Sequence, residues 1–161
     1  QWKEALIEAA DKLNYDAVVE LALYLAFEAK LNDKQIWRAV ENAALANLHL
    51  YELKHTCQLQ WAVTQLKPKQ TSSRFDNLLF NKASEKIDSG TLNASDFHYI
   101  MQGHRNKKSK DFYLKLKKAM IEQKDLLNPK SAGKEAIWAN NLVNLFFSFA
   151  SNRPTKFGVY S

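Results

Sequence analysis

Residues 33–53 read DKQIWRAVENAALANLHLYEL, and apolar side chains recur through this stretch with the period of an α-helix. The positions that share one helix face are Ile36, Trp37, Val40 and Ala44. Asp33 precedes that face, where its carboxylate can accept hydrogen bonds from the unpaired backbone amides of the first turn. The stretch therefore predicts a helix that begins after Asp33 and buries one side.

The same spacing returns twice along the chain. The first set is Asp33, Ile36, Leu48 and Leu53, and the second is Asp76, Leu79, Leu92 and Phe97. A third, shorter set is Asp111, Leu114 and Leu127. Recurrence of this kind predicts helical hairpins stacked three or four times, because a single hairpin cannot bury its apolar face alone. An irregular helical bundle is the alternative, since apolar helices always align to some degree.

Composition favours helices over sheets. The 161 residues include only four glycines and three prolines, whereas a sandwich, barrel or doubly wound sheet uses many of both in its turns. We expect an all-α fold of about eight helices in a right-handed array of hairpins, a short α-solenoid. Residues 1–151 would form this helical-repeat domain, with a second helix begun by Asp16 and an eighth over 137–150. Residues 152–161 would form an extended C-terminal arm.

The most apolar stretch, AVVELALYLAFEA at 17–29, contains two glutamates in 13 residues. It is too short and too charged to cross a bilayer, so we predict no transmembrane segment. The chain begins with Gln1. We expect either a removed leader or a trimmed N-terminus.

Positive charge is concentrated in residues 103–134, which carry ten basic and three acidic side chains, a net +7 within a chain of net +6. Such asymmetry favours a local contact with a polyanion. The residues predicted to bind RNA or another polyanion are Arg105, Lys107, Lys108, Lys110, Lys115 and Lys118. Lysines neutralise phosphates, and the nearby aromatic residues Tyr99, Phe112 and Tyr113 could stack on bases. The alternative is a solvated lysine face with Phe112 in the core.

The last ten residues read NRPTKFGVYS. Arg153, Phe157 and Tyr160 are predicted to anchor this arm on a protein partner, because aromatic and arginine side chains are enriched in binding hot spots. A disordered tail is the alternative.

No pattern for catalysis, a cofactor or a metal is present. The histidines at 49, 55, 98 and 104 form local pairs six residues apart, which do not share a helix face, so we expect surface or partly buried histidines and no metal. Cys57 falls among apolar helix positions and is expected to be an inert buried thiol. Gly133-Lys134 lacks the other residues of a phosphate-binding loop. We expect no enzyme activity and no cofactor.

The paired motifs Asp33-x-x-Ile36-Trp37 with Leu48-x-x-x-Glu52-Leu53, and Asp76-x-x-Leu79 with Leu92-x-x-x-Asp96-Phe97, resemble the degenerate helical-hairpin repeats of organellar proteins. The nearest in style are the RAP-domain and FAST-kinase-like proteins and the octotricopeptide-like arrays. The resemblance implies action on organellar RNA or a scaffold role in an organellar assembly, and a location in the mitochondrial matrix.

We therefore expect a non-catalytic scaffold or adaptor subunit of a mitochondrial assembly that contains RNA, such as the mitochondrial ribosome. Its partners would be other protein subunits, with RNA bound through residues 103–134. One alternative is an accessory subunit of a respiratory complex or ATP synthase, whose lysines would face acidic subunits or a membrane surface. Another is a small metal-dependent hydrolase or nuclease.

Overall fold

The computed structural model of the chain describes residues 1–90, 92–104 and 109–122. These residues form α-helices and no strand, which confirms the all-α prediction. The helices are α1 (Trp2–Ala10), α2 (Tyr15–Leu23), α3 (Lys34–Ala46), α4 (Leu53–Thr64), α5 (Ser73–Ser89), α6 (Ala94–His104) and α7 (Lys110–Glu122). A π-helical turn, Tyr24–Glu28, continues α2, and a 3-10 turn, Leu48–Leu50, separates α3 from α4. The predicted eighth helix and C-terminal arm lie outside the described residues.

The chain divides into two compact units, Gln1–Lys82 and Ala83–Ser161. One helical-repeat domain over 1–151 stays a prediction, because its C-terminal boundary lies outside the described residues. In the first unit α1 packs on α3, and α2 packs on both α3 and α4. Stacking of hairpins into a solenoid stays a prediction.

Helix α3 forms as its sequence predicts. The Asp33 carboxylate accepts hydrogen bonds from the backbone amides of Gln35 and Ile36, at 2.9 and 3.1 Å. Trp37 is fully buried, and its indole Nε1–H donates to the carbonyl of Leu31 at 2.8 Å. The predicted apolar face is therefore the buried face of the helix.

Helix α2 begins earlier than predicted. Its N-cap is Asn14, whose side-chain oxygen accepts a hydrogen bond from the amide of Ala17 at 2.9 Å, whereas the sequence favoured Asp16. Asn and Asp cap helices about equally well, so local preference does not choose between them. Asp16 lies instead in the first turn, where its charge favours the positive end of the helix dipole.

The three sets of spaced residues are not equivalent in the structure. Asp33 is the N-cap of α3, whereas Asp76 and Asp111 lie inside the first turns of α5 and α7. Ser72 precedes α5 and Ser109 precedes α7, and each hydroxyl accepts a hydrogen bond from the backbone amide three residues on. Ile36 and Leu79 are buried, but Leu114 is 48% exposed. Equal spacing thus corresponds to different helix registers.

Candidate functional site

The structure describes half of the predicted polyanion-binding residues. Lys110, Lys115 and Lys118 lie on α7. Residues Arg105, Lys107 and Lys108, and the predicted partner-binding residues Arg153, Phe157 and Tyr160, lie outside the described residues.

The three described lysines differ in their surroundings. Lys115 is half-buried, and its Nζ lies 2.6 Å from an oxygen of the Asp88 carboxylate and 3.3 Å from the hydroxyl oxygen of Ser84. These contacts tie α7 to the end of α5 within the second unit. Lys110 and Lys118 are exposed. Lys115 is therefore paired within the second unit, whereas Lys110 and Lys118 extend from the exposed side of α7.

The exposed face of α7 is amphipathic. Leu114 and Ile121, seven residues apart, are 48% and 61% exposed, and Lys118 lies between them on the exposed side. The opposite face is buried and contains Phe112, Tyr113, Leu116, Ala119 and Met120. The solvent-facing surface of α7 thus combines ammonium groups with aliphatic side chains.

Two of the three aromatic residues predicted to stack on bases are buried in the structure. Phe112 and Tyr113 are buried, with ring centroids 5.3 Å apart at 72°. The Tyr113 hydroxyl donates to the carbonyl of His104 at 2.5 Å. The register of α7 turns both rings towards the core, so neither is exposed for stacking, and Phe112 lies in the core as the alternative predicted. Tyr99 stays half-buried, with its ring against His98.

A polar cluster joins α2 to α4 in the first unit, and sequence reasoning missed it. His55 is buried, and its Nε2 lies 3.0 Å from an Asp16 carboxylate oxygen. Its Nδ1 accepts a hydrogen bond from the backbone amide of Glu52 at 3.0 Å. Because Nδ1 is an acceptor, the proton sits on Nε2 and is donated to Asp16. The expectation of a surface or partly buried histidine was wrong at this position.

Two tyrosines complete the cluster. The rings of Tyr15 and Tyr51 lie 5.4 and 5.5 Å from the His55 ring. The Tyr51 hydroxyl donates to the carbonyl of Tyr15 at 2.9 Å. Burial, together with the negative charge of Asp16, raises the pKa of Tyr51 to about 12. The hydroxyl is therefore a permanent donor at neutral pH.

His55 and Asp16 are residue types that can form a general-base pair, but their contacts here hold α2 and α4 together. Both ring nitrogens of His55 are occupied, so neither can take a proton from a substrate without breaking a bond within the fold. The spacing Glu52-x-x-His55 gave a local signal, since the N-cap and third residue of α4 form a reciprocal capping box. The contact with Asp16 joins residues 39 positions apart and has no local signal.

The described residues contain neither a cluster of metal ligands nor a reactive thiol at the surface. Within them, no three His, Cys, Asp or Glu side chains are placed to hold a metal ion. Cys57 is fully buried in α4, as predicted, and His104 is buried in α6, contrary to expectation. None of the helices described is both long and apolar enough to cross a membrane.

Comparisons with protein-family models, with curated proteins and with solved structures give no match to this chain.

Proposed function

We propose that this chain is a non-catalytic scaffold or adaptor subunit that contacts RNA phosphates through its basic segment, residues 103–134. The observation that carries the proposal is the concentration of charge, because this segment of net +7 accounts for more than the net charge of the whole chain. Positive charge clustered on one segment raises the local concentration of a polyanion and releases counterions when it binds.

The exposed positions of Lys110 and Lys118 support this proposal. They place ammonium groups at the start and towards the end of α7, on the solvent side of the helix. Their separation of eight residues corresponds to about 12 Å along a helix, so the two lysines can meet different phosphates of one strand. The burial of Phe112 and Tyr113 favours contact with the backbone over reading of bases.

A matched pair of variants tests the proposal. Lys110→Gln/Lys118→Gln removes two exposed charges from α7 and leaves the Lys115–Asp88 contact intact. Lys34→Gln/Lys54→Gln removes two exposed charges from the first unit and serves as the control. Binding to labelled single-stranded and duplex RNA is measured by fluorescence anisotropy over a salt series.

The parent chain is expected to bind with an affinity that falls steeply with salt. The α7 variant should reduce the slope of log K against log salt by about 1.4 for single strands, since each phosphate contact contributes about 0.7. The control should keep the parent slope. Equal losses in both variants, or no binding at low salt, would refute RNA contact by α7.

Location in a mitochondrial assembly rests on the sequence resemblance alone and stays a prediction.

A further inference from the structure

The backbone of the first unit adopts a left-handed conformation just after the π-helical turn Tyr24–Glu28. The amide of Ala29 donates to the carbonyl of Tyr24 at 2.9 Å, and the amide of Leu31 donates to the carbonyl of Leu25 at 2.9 Å. The second bond is the six-residue closure of a Schellman-type helix end. Lys30, between the two donors, has φ +49°, in the left-handed region.

Glycine is the residue that this backbone position favours. A left-handed conformation brings Cβ close to the backbone carbonyl and costs about 1–2 kcal/mol for other residues. The conformation of Lys30 is held from both sides, because the amide of Ala29 before it donates to Tyr24 and the amide of Leu31 after it donates to Leu25. The Leu31 carbonyl also accepts from the indole of Trp37. The chain therefore keeps a lysine side chain where glycine would be less strained.

The Lys30 side chain lines a cleft of about 490 Å³. The cleft is formed by the end of the π-helical turn and the segment that follows α4, and its lining includes Phe27, Lys30, Asn32, Gln65, Leu66 and Lys67. The Asn32 side-chain amide donates to the carbonyl of Lys67 at 2.9 Å and holds the two walls together. The charged and amide side chains of this lining are solvent-exposed, so the cleft is an open groove.

The chemistry of the lining selects an anion with an apolar or flat body. Lys30 and Lys67 supply two positive charges, and the lining residues include no carboxylate. Phe27 and Leu66 supply apolar surface, and the Phe27 ring is backed by Trp61 at a centroid distance of 4.4 Å. The amide nitrogens of Asn32 and Gln65 bond within the fold, and their amide oxygens can accept hydrogen bonds from hydroxyl groups.

We propose that this cleft binds a small phosphate ester with a flat or apolar body, its phosphate between Lys30 and Lys67. A lysine that only offset the negative end of the helix dipole could occupy a neighbouring position, with glycine at residue 30. The strained lysine is explained when its ammonium group is needed in the cleft, because backbone strain persists where function requires it.

Uridine 5′-monophosphate, inorganic phosphate and uridine are the probes. Each is titrated into the ¹⁵N-labelled full chain at constant ionic strength, and backbone amide shifts are followed by NMR. The monophosphate should shift the amides of Lys30, Asn32 and Lys67. Inorganic phosphate should bind more weakly, and uridine should cause little change. No shift at these three amides would overturn the proposal.

Lys30→Gly gives a second, sharper readout. This variant should keep or raise the thermal midpoint, because glycine relieves the left-handed strain. It should bind the monophosphate about tenfold more weakly, as should Lys67→Gln, since each loses a charge-assisted hydrogen bond. Lys54→Gln, which removes an exposed lysine outside the cleft lining, is the matched control and should bind like the parent.

The outcomes separate this site from the surface of α7. The cleft is supported if Lys110→Gln/Lys118→Gln still binds the monophosphate and Lys30→Gly does not, whether or not the chain binds RNA. The proposed site is overturned if Lys30→Gly binds the monophosphate like the parent, or if Lys30→Gly is less stable than the parent.

Discussion

Replacing His55 by alanine tests whether the polar cluster between α2 and α4 stabilises the fold. The change leaves the Glu52 amide without its acceptor, removes the bond to Asp16 and empties the space between the rings of Tyr15 and Tyr51. Loss of the cap costs about 1 kcal/mol, and loss of the bond to the carboxylate costs about the same. The unfilled cavity adds about 1 kcal/mol or more.

We therefore expect His55→Ala to reduce the free energy of unfolding by about 3 kcal/mol, a large part of the stability of a typical domain. The assay is urea unfolding at neutral pH, followed by far-UV circular dichroism. His55→Asn should recover about 1 kcal/mol, because its side-chain oxygen can accept from the Glu52 amide as Nδ1 does. A separate control is His49→Ala, which changes an exposed histidine in the 3-10 turn and should cost less than about 0.5 kcal/mol.

A structural role for His55 is refuted if His55→Ala loses less than about 1 kcal/mol of unfolding free energy, or no more than His49→Ala, because capping and a buried bond together exceed that value. A full loss in His55→Asn would show that the bond to Asp16, and not the cap, dominates.

Two further predictions concern titrating groups. The pKa of Tyr51 is about 12 in the folded chain, above its unfolded value near 10, so the folded state keeps a proton that the unfolded state loses. Urea unfolding at stepped alkaline pH should show stability lost as pH rises from about 10 towards 12, and Tyr51→Phe should lose less over that range. The hydrogen bond from Lys3 and the capped backbone amides hold the pKa of Asp33 below its ordinary value, so its stabilisation is full at neutral pH and is lost as pH falls through the folded pKa. Asp33→Ala should lower the urea midpoint more than Asp33→Asn at neutral pH, and the difference between Asp33→Asn and the parent should disappear in acid; a constant difference would contradict the contact with Lys3.

Local patterns predicted the helices well. The periodic apolar face of residues 33–53 became the buried face of α3, and Asp33 caps it as expected. Phe97, Ile100 and Met101, which carry the same spacing in α6, are fully buried. These predictions succeed because a helix is defined by bonds and contacts four residues apart, so the sequence of one segment contains most of the information.

The candidate sites were predicted less well. Charge counting located the basic segment but could not show that Lys115 contacts Asp88 while Lys110 and Lys118 stay exposed. Nor could it show that Phe112 and Tyr113 are buried. Each of these facts depends on which face of α7 meets the rest of the second unit.

The sequence by itself determined the helical class of the chain, the start and buried face of α3 and the place of its positive charge, because composition and short-range periodicity carry these properties. Tertiary structure decided which charged and aromatic groups meet. The contact of His55 with Asp16 joins positions 39 apart, and the bond from Asn32 to Lys67 joins positions 35 apart. Such contacts depend on the packing of distant segments, and no short-range pattern encodes that packing.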